Sequence, residues 1–66
     1  MLSARNQFPG VVKSVKLGEV AAEVVVDVGG LEVVSLITRG SAEHLGLKAG
    51  DRVTAVIKST EVLIDK

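Results

Sequence analysis

The stretch Val20-Ala21-Ala22-Glu23-Val24-Val25-Val26-Asp27-Val28-Gly29-Gly30-Leu31-Glu32-Val33-Val34-Ser35-Leu36-Ile37-Thr38 decides the fold. In its first half Ala22, Val24, Val26 and Val28 fall on one face and Glu23, Val25 and Asp27 on the other, the two-residue period of a strand. Gly29-Gly30 then supplies the tolerance for positive φ that a tight hairpin turn requires. In the returning strand, residues 31–38, Leu31, Val33 and Ile37 share a side, yet Val34 and Leu36 opposite them are apolar as well. Both faces of this strand call for burial.

The same reading extends to either side. Residues 10–17 form a first strand in which Val11, Val15 and Leu17 share a face, Ser14 and Lys16 take the other, and Val12 is an apolar exception; Gly18-Glu19 turns the chain into the second strand. After Thr38 a single helical turn is expected, with Ser41 as N-cap, Ala42-Glu43-His44-Leu45 as the turn and Gly46 as its left-handed terminus. Ala49-Gly50-Asp51 leads into a fourth strand, residues 52–58, with Val53, Ala55 and Ile57 alternating against Arg52, Thr54, Val56 and Lys58. Ser59-Thr60 interrupts it, and residues 61–64 complete a fifth strand. Thirteen valines, three isoleucines and three threonines suit a pleated surface. The expectation is a mostly β chain: a small, OB-like, five-stranded barrel with one short helical turn, as a single domain over residues 1–66.

Composition narrows the function. Sixty-six residues hold one small core, which supplies roughly 3–5 kcal/mol at most. With no cysteine and one histidine, neither a disulfide framework nor a Cys/His zinc site is available to reinforce it. Association between copies is the remaining device, and the surplus valines on second faces point the same way. Eight basic residues balance eight acidic ones, which argues against nucleic acid or an anionic membrane as partner. A nucleic-acid-binding OB module would also need aromatic stacking platforms, and Phe8 is the sole aromatic residue. No run of about 18 apolar residues and no secretory leader is visible, so the cytoplasm is the expected location.

Enzyme chemistry has little to work with. There is no nucleophile motif, phosphate loop or metalloprotease motif. Glu23 and Asp27 share a face but stand four residues apart, about 13 Å along a strand, too far for a carboxylate pair. His44 reads as a helix-face residue. Three donor-rich clusters do stand out: Ser3-Ala4-Arg5-Asn6 before the first strand, Thr38-Arg39-Gly40-Ser41 at the start of the helix, and Lys58-Ser59-Thr60 after the fourth strand. Each combines hydroxyls, a cation and backbone N–H groups outside strand pairing, which together suit a tetrahedral oxyanion. Each also has a plain structural explanation as a chain terminus, a cap or a strand bend.

Ser3-Ala4-Arg5-Asn6-Gln7, Ala22-Glu23-Val24 before Gly29-Gly30, Ile37-Thr38 with Ser41, Leu45-Gly46-Leu47 with Gly50, and Ile57-Lys58-Ser59-Thr60 form, in this order and spacing, a pattern that resembles the molbindins, the small stand-alone Mop proteins. The similarity spans essentially the whole chain. The resemblance implies an OB-like barrel assembling as a homohexamer, a trimer of dimers, that binds molybdate or tungstate between subunits and uses no organic cofactor. It implies Ser3, Ala4, Arg5, Lys58 and Ser59 as oxyanion-binding residues, Thr38 and Ser41 as further contacts, and Asn6 and Thr60 as supporting residues; no residue is assigned to sites near a three-fold axis. Phe8-Pro9 departs from the family pattern by removing a strand donor. Storage or buffering of the oxyanion is the expected role, and a structural or regulatory oligomerisation module without oxyanion storage is the alternative.

Overall fold

A computed structural model describes residues 3–66. Four strands, β1 (Asn6–Leu17), β2 (Ala21–Val28), β3 (Leu31–Thr38) and β4 (Arg52–Ile57), form one antiparallel sheet in the order β3-β2-β1-β4. A helix, α1 (Arg39–Leu45), lies between β3 and β4, and a single 3-10 turn, Ser59–Glu61, follows β4. The mostly β expectation holds. The five-stranded barrel is corrected to four strands in an open sheet: of the expected fifth strand, residues 61–64, Glu61 belongs to the 3-10 turn and residues 62–64 pair with neither edge of the sheet, and strand propensity without a partner makes no ladder.

The hairpin of β2 and β3 is as the alternation predicts, with Val24 opposite Ser35, Val26 opposite Val33 and Val28 opposite Leu31. Gly29 and Gly30 make the turn at φ 69° and 91°, and Gly30 N–H donates to the Asp27 carboxylate at 2.8 Å. β1 differs from expectation in length and in facing. It starts at Asn6, pairing with β4 from Asn6–Ile57 to Val11–Arg52, and passes to β2 from Val11–Asp27 to Leu17–Ala22. Pro9 lies in the portion where β1 has a neighbour on one side only, the place in a sheet where a missing N–H is tolerated.

The transfer between partners is made by a bulge. Val12 pairs with Val26 and Ser14 with Val25, which leaves Lys13 as the extra residue. One extra residue inverts the alternation, so Val12 joins the face of Val15 and Leu17 while Val11 leaves it. Val12 is thereby the most enclosed large side chain, 2% exposed, at the centre of a cluster with Val24 and Val26. Its backbone is used as well: Val12 N–H donates to Asp51 O at 2.9 Å and Gly50 N–H donates to Val12 O at 2.8 Å, tying the turn before β4 to the bulge. Val15, Val28, Ile37, Leu47 and Val53 pack around this cluster.

The crossing is tight at Gly10. A Cβ there would stand 2.4 Å from Asp27 O and 2.7 Å from a Val28 methyl, so only glycine lets β1 and β2 approach this closely. α1 covers one end of the core with Ala42. Its N-cap is Thr38 rather than Ser41: Ser41 N–H donates to Thr38 Oγ1 at 3.0 Å, which starts the helix at Arg39. Gly46, at φ 61°, ends it. Among the described residues, no helix is long and apolar enough to cross a membrane.

Candidate functional site

The pairing of Asn6 with Ile57 decides which clusters meet. Ser3, Ala4 and Arg5 immediately precede Asn6, and Lys58, Ser59 and Thr60 immediately follow Ile57, so antiparallel pairing brings both clusters to the same end of the β1–β4 ladder. Ser3, Arg5, Lys58, Ser59 and Thr60 are exposed there, while Ala4 and Asn6 are half-buried.

Hydrogen bonding within each segment selects what it presents. Gln7 Nε2 donates to Ala4 O at 2.6 Å and Gln7 N–H donates to Arg5 O at 3.1 Å, so both carbonyls of this turn are occupied. Across the ladder, Glu61 N–H donates to Lys58 O at 2.9 Å and Val62 N–H donates to Ser59 O at 3.3 Å. The carbonyls are consumed in both places. Among the described residues, the N–H groups of Ala4, Arg5, Ser59 and Thr60 have no backbone acceptor. The result is a patch of N–H and O–H donors flanked by Arg5 and Lys58, neither of which has a carboxylate within 4.0 Å among the described residues. With the carbonyls of Ala4, Arg5, Lys58 and Ser59 already accepting hydrogen bonds, unpaired N–H and O–H donors beside two cations suit an anion.

Thr38 and Ser41 are placed elsewhere. They line a depression with Gly40, His44 and Leu45, and a neighbouring one with Val20 and Leu36, neither of which includes Arg5 or Lys58. Their hydrogen-bonding capacity is also largely spent. Thr38 Oγ1 accepts from Ser41 N–H and donates to Ser41 Oγ at 2.8 Å, and Arg39 N–H donates to Val20 O at 2.8 Å. Arg39 itself donates to Gly18 O at 3.3 Å and pairs with Glu43 at 3.5 Å. This cluster offers a Ser41 hydroxyl proton and the Gly40 N–H, and little more.

His44 lies in the depression that Thr38 and Ser41 line, an association the sequence reading did not make although the three-residue spacing from Ser41 carries it. No grouping of three or more His, Asp or Glu that could hold a metal ion occurs among the described residues. Another hollow, lined by Pro9, Gly10, Val11 and Arg52, has the Arg52 guanidinium as its one charged group and lies further along the β1–β4 pair from the donor patch.

Comparison with known proteins covers the whole of this framework. The TOBE domain family matches residues 2–64. The chain is 55% identical over 64 residues to molybdenum-pterin-binding protein 3 of Clostridium pasteurianum, an alignment that takes in 96% of this chain and 94% of that protein. The solved molybdate-binding protein of Sporomusa ovata superposes with a TM-score of 0.95 at 41% identity, covering 100% of this chain and 98% of that one. The cytoplasmic molybdate-binding protein ModG, solved with molybdate bound, superposes with a TM-score of 0.85 at 44% identity, covering 88% of this chain and 42% of that one.

Proposed function

The chain belongs to the TOBE domain family and, within it, to the small Mop proteins, and from this premise we infer that it is a molybdate- or tungstate-binding protein of the cytoplasm that stores or buffers the oxyanion. The observation that carries the reading is the donor patch at the Asn6–Ile57 end of the ladder, where Arg5 and Lys58 flank backbone N–H and hydroxyl groups whose companion carbonyls are already occupied. With Phe8 the one aromatic side chain, the patch fits an oxyanion better than a stacked heterocycle.

In this reading Ser3, Ala4, Arg5, Lys58 and Ser59 contact the anion directly, and Asn6 and Thr60 brace the two segments. Two cations match the charge of a dianion, and neutral donors complete its shell, so the anion exchanges without breaking any metal–protein bond. Sulfate carries the same charge on shorter bonds. A donor set spaced for the longer metal–oxygen bonds of molybdate or tungstate meets sulfate with poorer hydrogen-bond geometry.

Thr38 and Ser41 enter the same shell from a second copy. Within one chain they share no depression with Arg5 or Lys58, so a site containing all seven contacts is completed across a subunit boundary, in keeping with the expected hexamer built as a trimer of dimers. Binding, not catalysis, is the activity.

Isothermal titration with molybdate, repeated with tungstate and in excess sulfate, tests this. Saturable binding that survives sulfate is expected. Arg5→Ala and Lys58→Ala each remove a charge-assisted contact, a loss of about 1.5–3 kcal/mol or roughly ten- to hundredfold in Kd. Glu19→Gln, in the exposed β1–β2 turn, serves as the control. Equal affinity in all four proteins would reject the site, and no heat with either oxyanion would reject the function.

A further inference from the structure

Ser3, Ala4 and Arg5, which supply direct contacts in the reading above, stand outside the sheet, whose first strand begins at Asn6. Among the described residues two hydrogen bonds hold this segment, and Gln7 donates both: its backbone N–H to Arg5 O at 3.1 Å and its side-chain Nε2 to Ala4 O at 2.6 Å. Gln7 is itself anchored, as the second residue of β1 and the ladder partner of Val56. Its amide therefore reaches back three residues, from a fixed place in the sheet to a segment that has no ladder of its own.

The side-chain bond fixes an orientation as well as a position. No cis peptide bond occurs among the described residues, so the Ala4 C=O and the Arg5 N–H point in opposite directions from one rigid plane. With Ala4 O held by the Gln7 amide, Arg5 N–H is turned the other way, where it meets no backbone acceptor among the described residues. Rotation of that plane would harm an anion site twice, by withdrawing a donor and by presenting a carbonyl lone pair to negative charge. Glutamine suits the task because it donates to a carbonyl over this reach without bringing a charge of its own; a carboxylate of the same length only accepts.

We propose that Gln7 is a positioning residue for the oxyanion: its side-chain amide sets the Ala4–Arg5 peptide with the Arg5 N–H toward the anion and the Ala4 carbonyl away from it. The proposal rests on the binding reading above and adds to it a residue that does not touch the anion. Gln7 acts through Ala4 and Arg5, so its removal costs preorganisation rather than a charged contact, and the effect is smaller than that of Arg5→Ala.

Gln7→Met removes the donor and keeps an unbranched side chain of similar length. On the full chain without oxyanion, ¹⁵N relaxation should show the Arg5 amide losing order in this variant while the Val56 amide keeps it. Titration with molybdate should then give a Kd raised roughly two- to tenfold, the worth of one neutral hydrogen bond. The anion-free thermal midpoint should stay within about 4 °C of the parent, as for other exposed substitutions. Saturating molybdate should restore the order of the Arg5 amide, a response that a general loss of stability would not give. Unchanged Arg5 order in Gln7→Met would overturn the proposal, as would a parental Kd, or a weaker Kd accompanied by loss of order along the whole of β1. A parent that takes up no molybdate would reject the binding reading instead, and the anion-free relaxation would still decide whether Gln7 sets this peptide.

Discussion

Gly10→Ala tests the framework that places the donor patch. The added methyl would sit 2.4 Å from Asp27 O, with Val28 and Val26 methyls at 2.7 and 2.9 Å. Carbon–oxygen contacts settle near 3.3 Å, so β1 and β2 must separate by about 0.9 Å at their point of closest approach. The nearest atom is backbone in the centre of the sheet, so no side-chain rotation relieves it. Overpacking of this kind costs about 1–3 kcal/mol, and the reduced freedom of the unfolded chain returns about 0.4–1 kcal/mol. A net loss of about 1–2 kcal/mol is expected, which lowers Tm by roughly 5–15 °C for a domain of this size. With no tryptophan or tyrosine, far-ultraviolet circular dichroism is the readout, taken at fixed protein concentration because association raises apparent stability. Gly40→Ala is the matched control: it lies in α1 with nothing within 4 Å of the new Cβ, and should stabilise by about 0.5–1 kcal/mol. Equal Tm for Gly10→Ala and the parent would refute the close crossing, and with it the reason β1 can serve two partners.

Thr38→Val keeps the shape of the cap and removes its oxygen; a loss of about 0.5–2 kcal/mol in the same melts is expected, with Thr38→Ser near the parent. Lys13 is held above the ordinary lysine pKa of 10.5 by its hydrogen bond to Glu32 and then by the charge of that carboxylate. A raised value means that this pair stabilises the fold below pH 10.5 and ceases to do so as pH climbs through the raised pKa, so Glu32→Gln should bring the Lys13 titration, followed by NMR, down toward 10.5 and should converge in stability with the parent in strong alkali. Molybdate at one hundred times its Kd should stabilise the folded protein by about 2.7 kcal/mol, and the gain should fall to about 0.4–1.4 kcal/mol in Arg5→Ala at the same concentration, as a ten- to hundredfold weaker Kd requires. Thermal melts across a molybdate series check it, and a rise equal in both proteins would remove Arg5 from the site.

The alternation of β2 and β3, the glycine turn between them and the inward residues of β4 were legible because each follows from a period of two and a turn residue. β1 was not. Its start at Asn6 depends on β4 being available as a partner some fifty residues later, and no local pattern marks that. Its facing depends on one bulged residue, Lys13, that inverts the parity of everything before it; the apolar exception at Val12 was the trace this left in the sequence. Ser41 was a plausible cap, but Thr38 takes the role because Arg39 N–H finds Val20 O and fixes the first turn earlier. The fifth strand was legible as a strand-prone segment, while its lack of a partner in its own sheet is a tertiary fact that propensity does not contain. Of the site, composition marked the three donor clusters, and only the register of β1 against β4 shows that two of them adjoin and the third stands apart.

Size favours the proposed placement of the site at a boundary between copies. A private pocket for a dianion needs walls thick enough to exclude water from several sides and to hold each donor in place. Among the described residues five hydrophobic side chains are fully buried, all valine or alanine, and they join β1, β2 and α1. Nothing is left over to enclose a ligand. With the donors split between a ladder end and a helix start, the proposed assembly would let a second copy provide the missing walls, and a contact between copies would be favoured by apolar side chains such as Val34 and Leu36 that one copy leaves in water. If two copies share the anion as proposed, ligand, assembly and stability form one linked equilibrium: each anion strengthens the contact between copies, and each contact preorganises the donors for the next anion. In a storage protein of the kind proposed, that coupling would steepen uptake and release around one concentration without a moving part or a catalytic group.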